Sequence, residues 1–144
     1  WAPLDCLVID LPPGTGDVQL TLTQTAPIDG AVIVTTPPKV ALEDVRRGVE
    51  MFRTVNVPVL GVIENMSSYA CAKCGTETSV FGHGGGKHTA DLYEVPFLGE
   101  IPLHPSLQMG SDTGVPLVAS EPESPIAVRY QEIAEQILGS LTPS

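Results

Sequence analysis

Four short apolar runs constrain the architecture more than any other feature. They occupy residues 6–10 (CLVID), 31–36 (AVIVTT), 57–65 (VPVLGVIEN) and 95–102 (VPFLGEIP), and each ends in a turn signal. The runs are continuously apolar and rich in β-branched residues, not alternating. That pattern suits strands covered on both faces, as in a parallel sheet. Helical patterns lie between them, at residues 18–26 and 40–55, with a last one from about residue 124 to 141. In the second, Leu42, Val45, Val49 and Phe52 form one stripe, with Glu43, Arg46, Arg47 and Glu50 off it. In the last, Ile126, Tyr130, Ile133, Ile137 and Leu141 recur at spacings of three and four. Strand and helix in alternation imply an α/β sandwich with right-handed crossovers. A length of 144 residues suits one domain, and no internal repeat or linker divides it.

Composition narrows the function classes. With 42% hydrophobic and 17% charged residues the chain is expected to fold. A formal charge of −10 repels phosphate backbones and anionic lipid, so neither nucleic acid nor membrane is an expected partner. Three cysteines are an odd number, which argues against a secreted disulfide framework. No leader and no apolar run near twenty residues is visible. The expected compartment is intracellular, the cytoplasm first and the mitochondrion as the alternative. The chain opens at Trp1 without an initiator Met, as an excised piece would.

Polar and glycine-rich residues gather after the strands, in LPPGTGD, TTPPK, NMSS and IPLHP. Ligands of open parallel sheets bind at the carboxyl ends of the strands, so these connections can share one site. The run LVIDLPPGTGD places Asp10 at a strand end, where a carboxylate can organise Mg²⁺ and its water beside a phosphate. Gly14 would let a backbone N–H approach that phosphate without a Cβ in the way. The bland alternative is a strand-ending Asp and an ordinary tight turn. GTGD is not the dinucleotide fingerprint, because Gln19 stands where its third Gly belongs. GHGGGKHT fails as a phosphate loop, because His88 follows Lys87 and Phe81 stands where a Gly is needed. An esterase reading of HGGG lacks its G-x-S-x-G partner. Gly84, Gly85 and Gly86 are expected to form a flexible entry to a helix beginning near Lys87.

The cysteines carry the remaining chemistry. Cys71 and Cys74 have the two-residue gap that lets two thiolates grip one soft metal, and Lys73 favours thiolate. A thioredoxin-like couple would sit near the first strand, not deep in the chain. Cys71, Cys74, His83 and His88 read C-x2-C-x8-H-x4-H, which keeps zinc open. Two exposed cysteines without a ligand are the bland reading, and His83, His88 and His104 are by default ordinary loop or helix histidines. Two thiolates cannot close a tetrahedral site, so either histidines or a second subunit must help. A twofold axis would bring four sulfurs together, which suits a [4Fe–4S] cluster as well as zinc. Cys6, inside an apolar run, is expected to be a core thiol.

Taken in order, DCLVIDLPPGTGDVQLTL, GAVIVTTPPKVALEDVRRGVEMF, VPVLGVIENMS followed by CAKC, FGHGGG, VPFLGEIPL and SDTGVPLV resemble the Mrp/ApbC family of iron–sulfur cluster carrier ATPases. These are P-loop NTPases of the deviant Walker A class, related to MinD and the nitrogenase iron protein. The resemblance runs from about Leu4 to Leu141. It implies a three-layer P-loop NTPase-like sandwich with a mostly parallel sheet, present here as its C-terminal part. It implies that Asp10 supports Mg²⁺ through water, that Gly14 lies near the γ-phosphate, and that Asn65 reads the adenine edge. Pro102 and Leu103 match the loop packing on the base. Cys71 and Cys74 match the pair that holds a transferable [4Fe–4S] cluster across a homodimer, for delivery to apo iron–sulfur proteins. The family's Walker A loop should precede the first strand, so these residues alone are expected neither to bind ATP tightly nor to hydrolyse it. Absent strands would also leave apolar surface exposed. Two other readings are a zinc-stabilised nucleotide-binding scaffold and a MinD-like positioning ATPase. The closing ILGSLTPS lacks the basic face that the latter's membrane-binding tail would need.

Overall fold

Alternating strand and helix patterns become a sheet with a helical layer on each face. The computed structural model describes residues 3–12, 16–71, 73–74 and 76–141. In order the elements are α1 (Asp17–Thr25), β1 (Ala31–Thr35), α2 (Lys39–Thr54), β2 (Val59–Ala70) and β3 (Glu77–Thr78). They continue with α3 (Gly85–Leu92), β4 (Phe97–Leu103), α4 (Pro105–Thr113), α5 (Leu117–Ser120) and α6 (Pro125–Leu141). The long strand β2 is central. It pairs in parallel with β1 and with β4, and its far end pairs antiparallel with β3.

Neighbouring residues of each strand serve opposite faces, because side chains alternate across a strand. Val62 packs with Val45 and Val49 of α2 and Ala90 of α3, and Ile33, Val95 and Phe97 join them. Ile63 faces the other way, with Val32, Leu98 and Ile101, against Ile133 and Ile137 of α6 and Leu107 of α4. Both faces of the parallel strands are therefore covered, which is why their sequences read as continuous apolar runs. The stripe read on α2 is buried at Val45, Val49 and Phe52, with Leu42 half-buried. On α6 the same reading holds at Ile126 and Ile133, while Tyr130 is exposed.

The first apolar run behaves differently. Residues 6–10 are not a strand, and Leu7, Val8 and Ile9 are 54%, 86% and 44% exposed. An apolar run becomes a strand only when a neighbour accepts its backbone hydrogen bonds, and no described strand lies beside this one. Cys6 is accordingly an exposed free thiol and not a core one. Val34 on β1 is also exposed, at 61%. Gln19 Nε2 of α1 donates to the Pro12 carbonyl at 2.7 Å, which ties the segment's end to the fold. No helix among the described residues is long and apolar enough to cross a membrane.

Candidate functional site

The sequence suggests a loop after Asn65, but β2 continues to Ala70. Met66 adopts φ 57, the left-handed region, and the β2–β4 register shifts between Asn65 and Tyr69. The bulge re-aims the strand and lets it run on past the parallel core. Tyr69 then pairs with Leu103 on one edge and with Thr78 of β3 on the other. Ala70 pairs with Glu77, and the Cys71 N–H donates to the Thr76 carbonyl at 3.0 Å. Cys71 and Cys74 thus sit in the tip of a short hairpin carried out from the sheet's central strand.

Both thiols are free; Cys71 is half-buried and Cys74 exposed. Cys74 Sγ lies 3.2 Å from Thr76 Oγ1. The Thr76 hydroxyl, then the Thr76 amide and the Cys71 side chain, hold the Cys74 thiol below its ordinary pKa, because they stabilise the thiolate. The tip therefore presents to solvent one thiol shifted toward the thiolate that binds metals. The histidines do not join it. Among the described residues, His83 groups with Glu64 and Glu100, and neither cysteine belongs to that group. His88 is exposed on α3, and His104 caps α4 by accepting from the Ser106 N–H at Nδ1, 3.3 Å.

Asn65 is paired with Ile101 of β4, so Pro102 and Leu103 follow directly beyond its cross-strand neighbour. Asn65 Oδ1 accepts from the Met66 N–H at 2.9 Å, which fixes the side chain and leaves its Nδ2 without a partner among the described residues. Pro102 is half-buried and Leu103 is 38% exposed. Asp10 is exposed at the end of the unpaired run. Gly14 lies outside the described residues.

A residue that sequence reasoning missed ties these parts together. Glu64 is fully buried on β2, on the Val62 face. Its Oε1 accepts from the Gly84 N–H at 3.0 Å, and its Oε2 accepts from the Gly86 N–H. The carboxylate thus satisfies orphan donors at the N-terminus of α3 and complements its dipole. Backbone conformation and close packing call for glycine at these positions. Gly84 takes φ 74, a conformation that favours glycine. A Cβ on Gly85 would lie 2.8 Å from the Pro37 carbonyl, and one on Gly86 would lie 3.0 Å from Glu64. α3 begins at Gly85, two residues before Lys87, because the Glu64 cap starts it there. A polar residue inside the apolar run 57–65 was the available signal, since a buried carboxylate needs donors.

A mostly parallel sheet covered on both faces, with its loops gathered at the strand ends, is a doubly wound α/β sandwich, and solved structures match it to P-loop NTPases. A nucleotide-binding protein from Archaeoglobus fulgidus, in complex with ADP and with cobalt, superposes with a TM-score of 0.67 at 39% identity, over 79% of this chain and 46% of that one. MinD of Aquifex aeolicus matches in fold, with a TM-score of 0.63 at 23% identity, over 87% of this chain and 49% of that one. The chain belongs to the ParA family as represented by the NUBPL iron-transfer P-loop NTPase, whose model matches residues 1–138.

Curated relatives are similar throughout. An iron–sulfur cluster carrier protein of Salmonella typhimurium is 49% identical over 141 residues, 98% of this chain and 38% of that protein. The counterpart in Pseudomonas fragi is 54% identical over 134 residues, 93% of this chain and 47% of that protein. The iron–sulfur cluster transfer protein NUBPL of Mus musculus is 49% identical over 144 residues, 100% of this chain and 45% of that protein. The chain thus spans less than half the length of these relatives.

Proposed function

We propose that this chain is the cysteine-bearing part of an ATP-dependent iron–sulfur cluster carrier. Its cargo is a [4Fe–4S] cluster, held by Cys71 and Cys74 together with the same pair from a second copy, and passed on to apo iron–sulfur proteins. The carrying observation is the hairpin tip: two free, accessible thiols, one tuned toward thiolate, on a chain about half identical to named cluster carriers. A cluster bound by two thiolates per subunit at an exposed tip has few bonds to exchange on each side, which suits delivery over permanent retention.

The nucleotide roles belong to the same proposal. Asp10 supports Mg²⁺ through water, Gly14 approaches the γ-phosphate, the Asn65 amide meets the adenine edge, and Pro102 and Leu103 pack against the base. An Asn65 Nδ2 with no partner among the described residues, two register positions before the exposed Leu103 along β4, supports the base-binding part. The 144 residues form one domain unit that lacks the phosphate-cradling Walker A loop, and alone they neither bind ATP tightly nor hydrolyse it. ATP turnover by this chain alone at the rate of a full-length relative would overturn that part.

Anaerobic reconstitution with iron and sulfide tests the cargo. A brown protein is expected, holding about four iron and four sulfide per pair of chains and sedimenting as a dimer only when loaded. Substituting either Cys71 or Cys74 by Ser should abolish the colour. A colourless protein retaining one zinc per chain, dependent on both cysteines and on His83 or His88, would instead establish the scaffold reading.

A further inference from the structure

We propose a second metal site, separate from the thiols: Glu64, His83 and Glu100 bind one divalent transition-metal ion. Each residue offers one ligand atom, and the three atoms lie within 4.8 Å of one another. Glu64 and Glu100 face each other across the parallel pair β2–β4 in direct register. His83 arrives from the turn before α3, with Nδ1 3.8 Å from Glu100 Oε2. Two ligands held at bonding distance in a tetrahedral site are about 3.4 Å apart, so the His83–Glu100 spacing needs little closure.

Two features favour a cation there. Like charges directly opposed on a sheet repel, and among the described residues no Lys or Arg pairs with either carboxylate. Glu64 is fully buried, and its two partners are backbone N–H groups, one on each oxygen. Those bonds fix the carboxylate as outer-shell donors fix metal ligands, and each oxygen keeps a further lone pair for an ion. His83 and Glu100 have side chains 61% and 28% exposed, so the site opens to solvent and water can complete the coordination. One imidazole and two carboxylates make a nitrogen–oxygen donor set suited to Zn²⁺, Fe²⁺ or Mn²⁺ and poorly suited to Cu⁺. With three protein ligands and an open position, it is an exchangeable site and not a closed structural one.

Zn²⁺ titrated calorimetrically into protein carrying Cys71→Ser and Cys74→Ser tests this without the thiols. One saturable site per chain is expected, with micromolar affinity. His83→Ala and Glu100→Gln should each weaken it by at least about tenfold, while His88→Ala leaves it unchanged. Because His83 and Glu100 reach solvent, neither substitution opens a cavity, and circular dichroism verifies the fold. As a second reading, Zn²⁺ should raise the melting temperature of the thiol-free protein and not that of its His83→Ala derivative. Absence of saturable binding below millimolar Zn²⁺ would overturn the site, as would binding indifferent to His83 and Glu100. Neither result bears on the carrier reading, which rests on the cysteines.

Discussion

The two halves of β2 have different neighbours and do different work. Residues 59–65 run parallel between β1 and β4 and are covered by helices on both faces, with Val62 fully buried. Residues 66–70 lie beyond the bulge at Met66 and pair chiefly within a hairpin whose tip bears the two thiols. The first half anchors the sheet, while the second extends beyond it and, on the carrier proposal, holds the thiols that bind the cargo. Substitutions in the second half should therefore alter cargo binding with little effect on folding, and those in the parallel half should do the reverse.

The largest expected effect lies at the tip. Cys71→Ser with Cys74→Ser should eliminate iron and sulfide binding while leaving the urea midpoint of the unloaded protein unchanged. A marked drop in that midpoint would erase the distinction between the halves. In the core, Val49→Ala removes two methyl groups from a fully buried site and should cost about 2 kcal/mol in urea unfolding, with the thiols still loading normally.

At the junction, Gly84→Ala meets nothing within 4 Å, so its cost is the left-handed backbone alone, about 1 kcal/mol. A much larger loss would mean that Gly84 has neighbours beyond those described. The smallest effect concerns reactivity. Thr76 holds the Cys74 pKa down, so the thiolate is more abundant near neutrality than on an ordinary cysteine. Thr76→Val should slow alkylation of Cys74 a few-fold around pH 7. The difference should vanish above the ordinary thiol pKa, where both forms are ionised. Equal alkylation rates across the whole pH range would show that the hydroxyl does not tune the thiol.

A second pair of regions shows how far the sequence could be read. The runs 6–10 and 31–35 are both largely apolar, yet only the second is a strand. Periodicity and β-branching report what a segment can become; pairing requires a partner that accepts its hydrogen bonds. For β1 that partner is β2, while the first run has none among the described residues. The carboxyl-end loops were legible because turn residues cluster there, while Asn65, Pro102 and Leu103 were singled out only by the family resemblance. Glu64 was not legible, since its partners Gly84 and Gly86 lie 20 and 22 residues away, and no local pattern encodes that distance.

Sequence alone determined the alternation of strand and helix, the apolar faces of α2 and α6, and the two-residue gap between Cys71 and Cys74. All are properties of spacing within a few residues. Tertiary structure alone decided that β2 would outrun the sheet to raise those cysteines, and that a buried carboxylate would start α3. It also decided that His83 would lie beside Glu100 and Glu64. Each of these depends on which distant backbone donors and charges meet in space, a matter settled by packing after the local elements have formed.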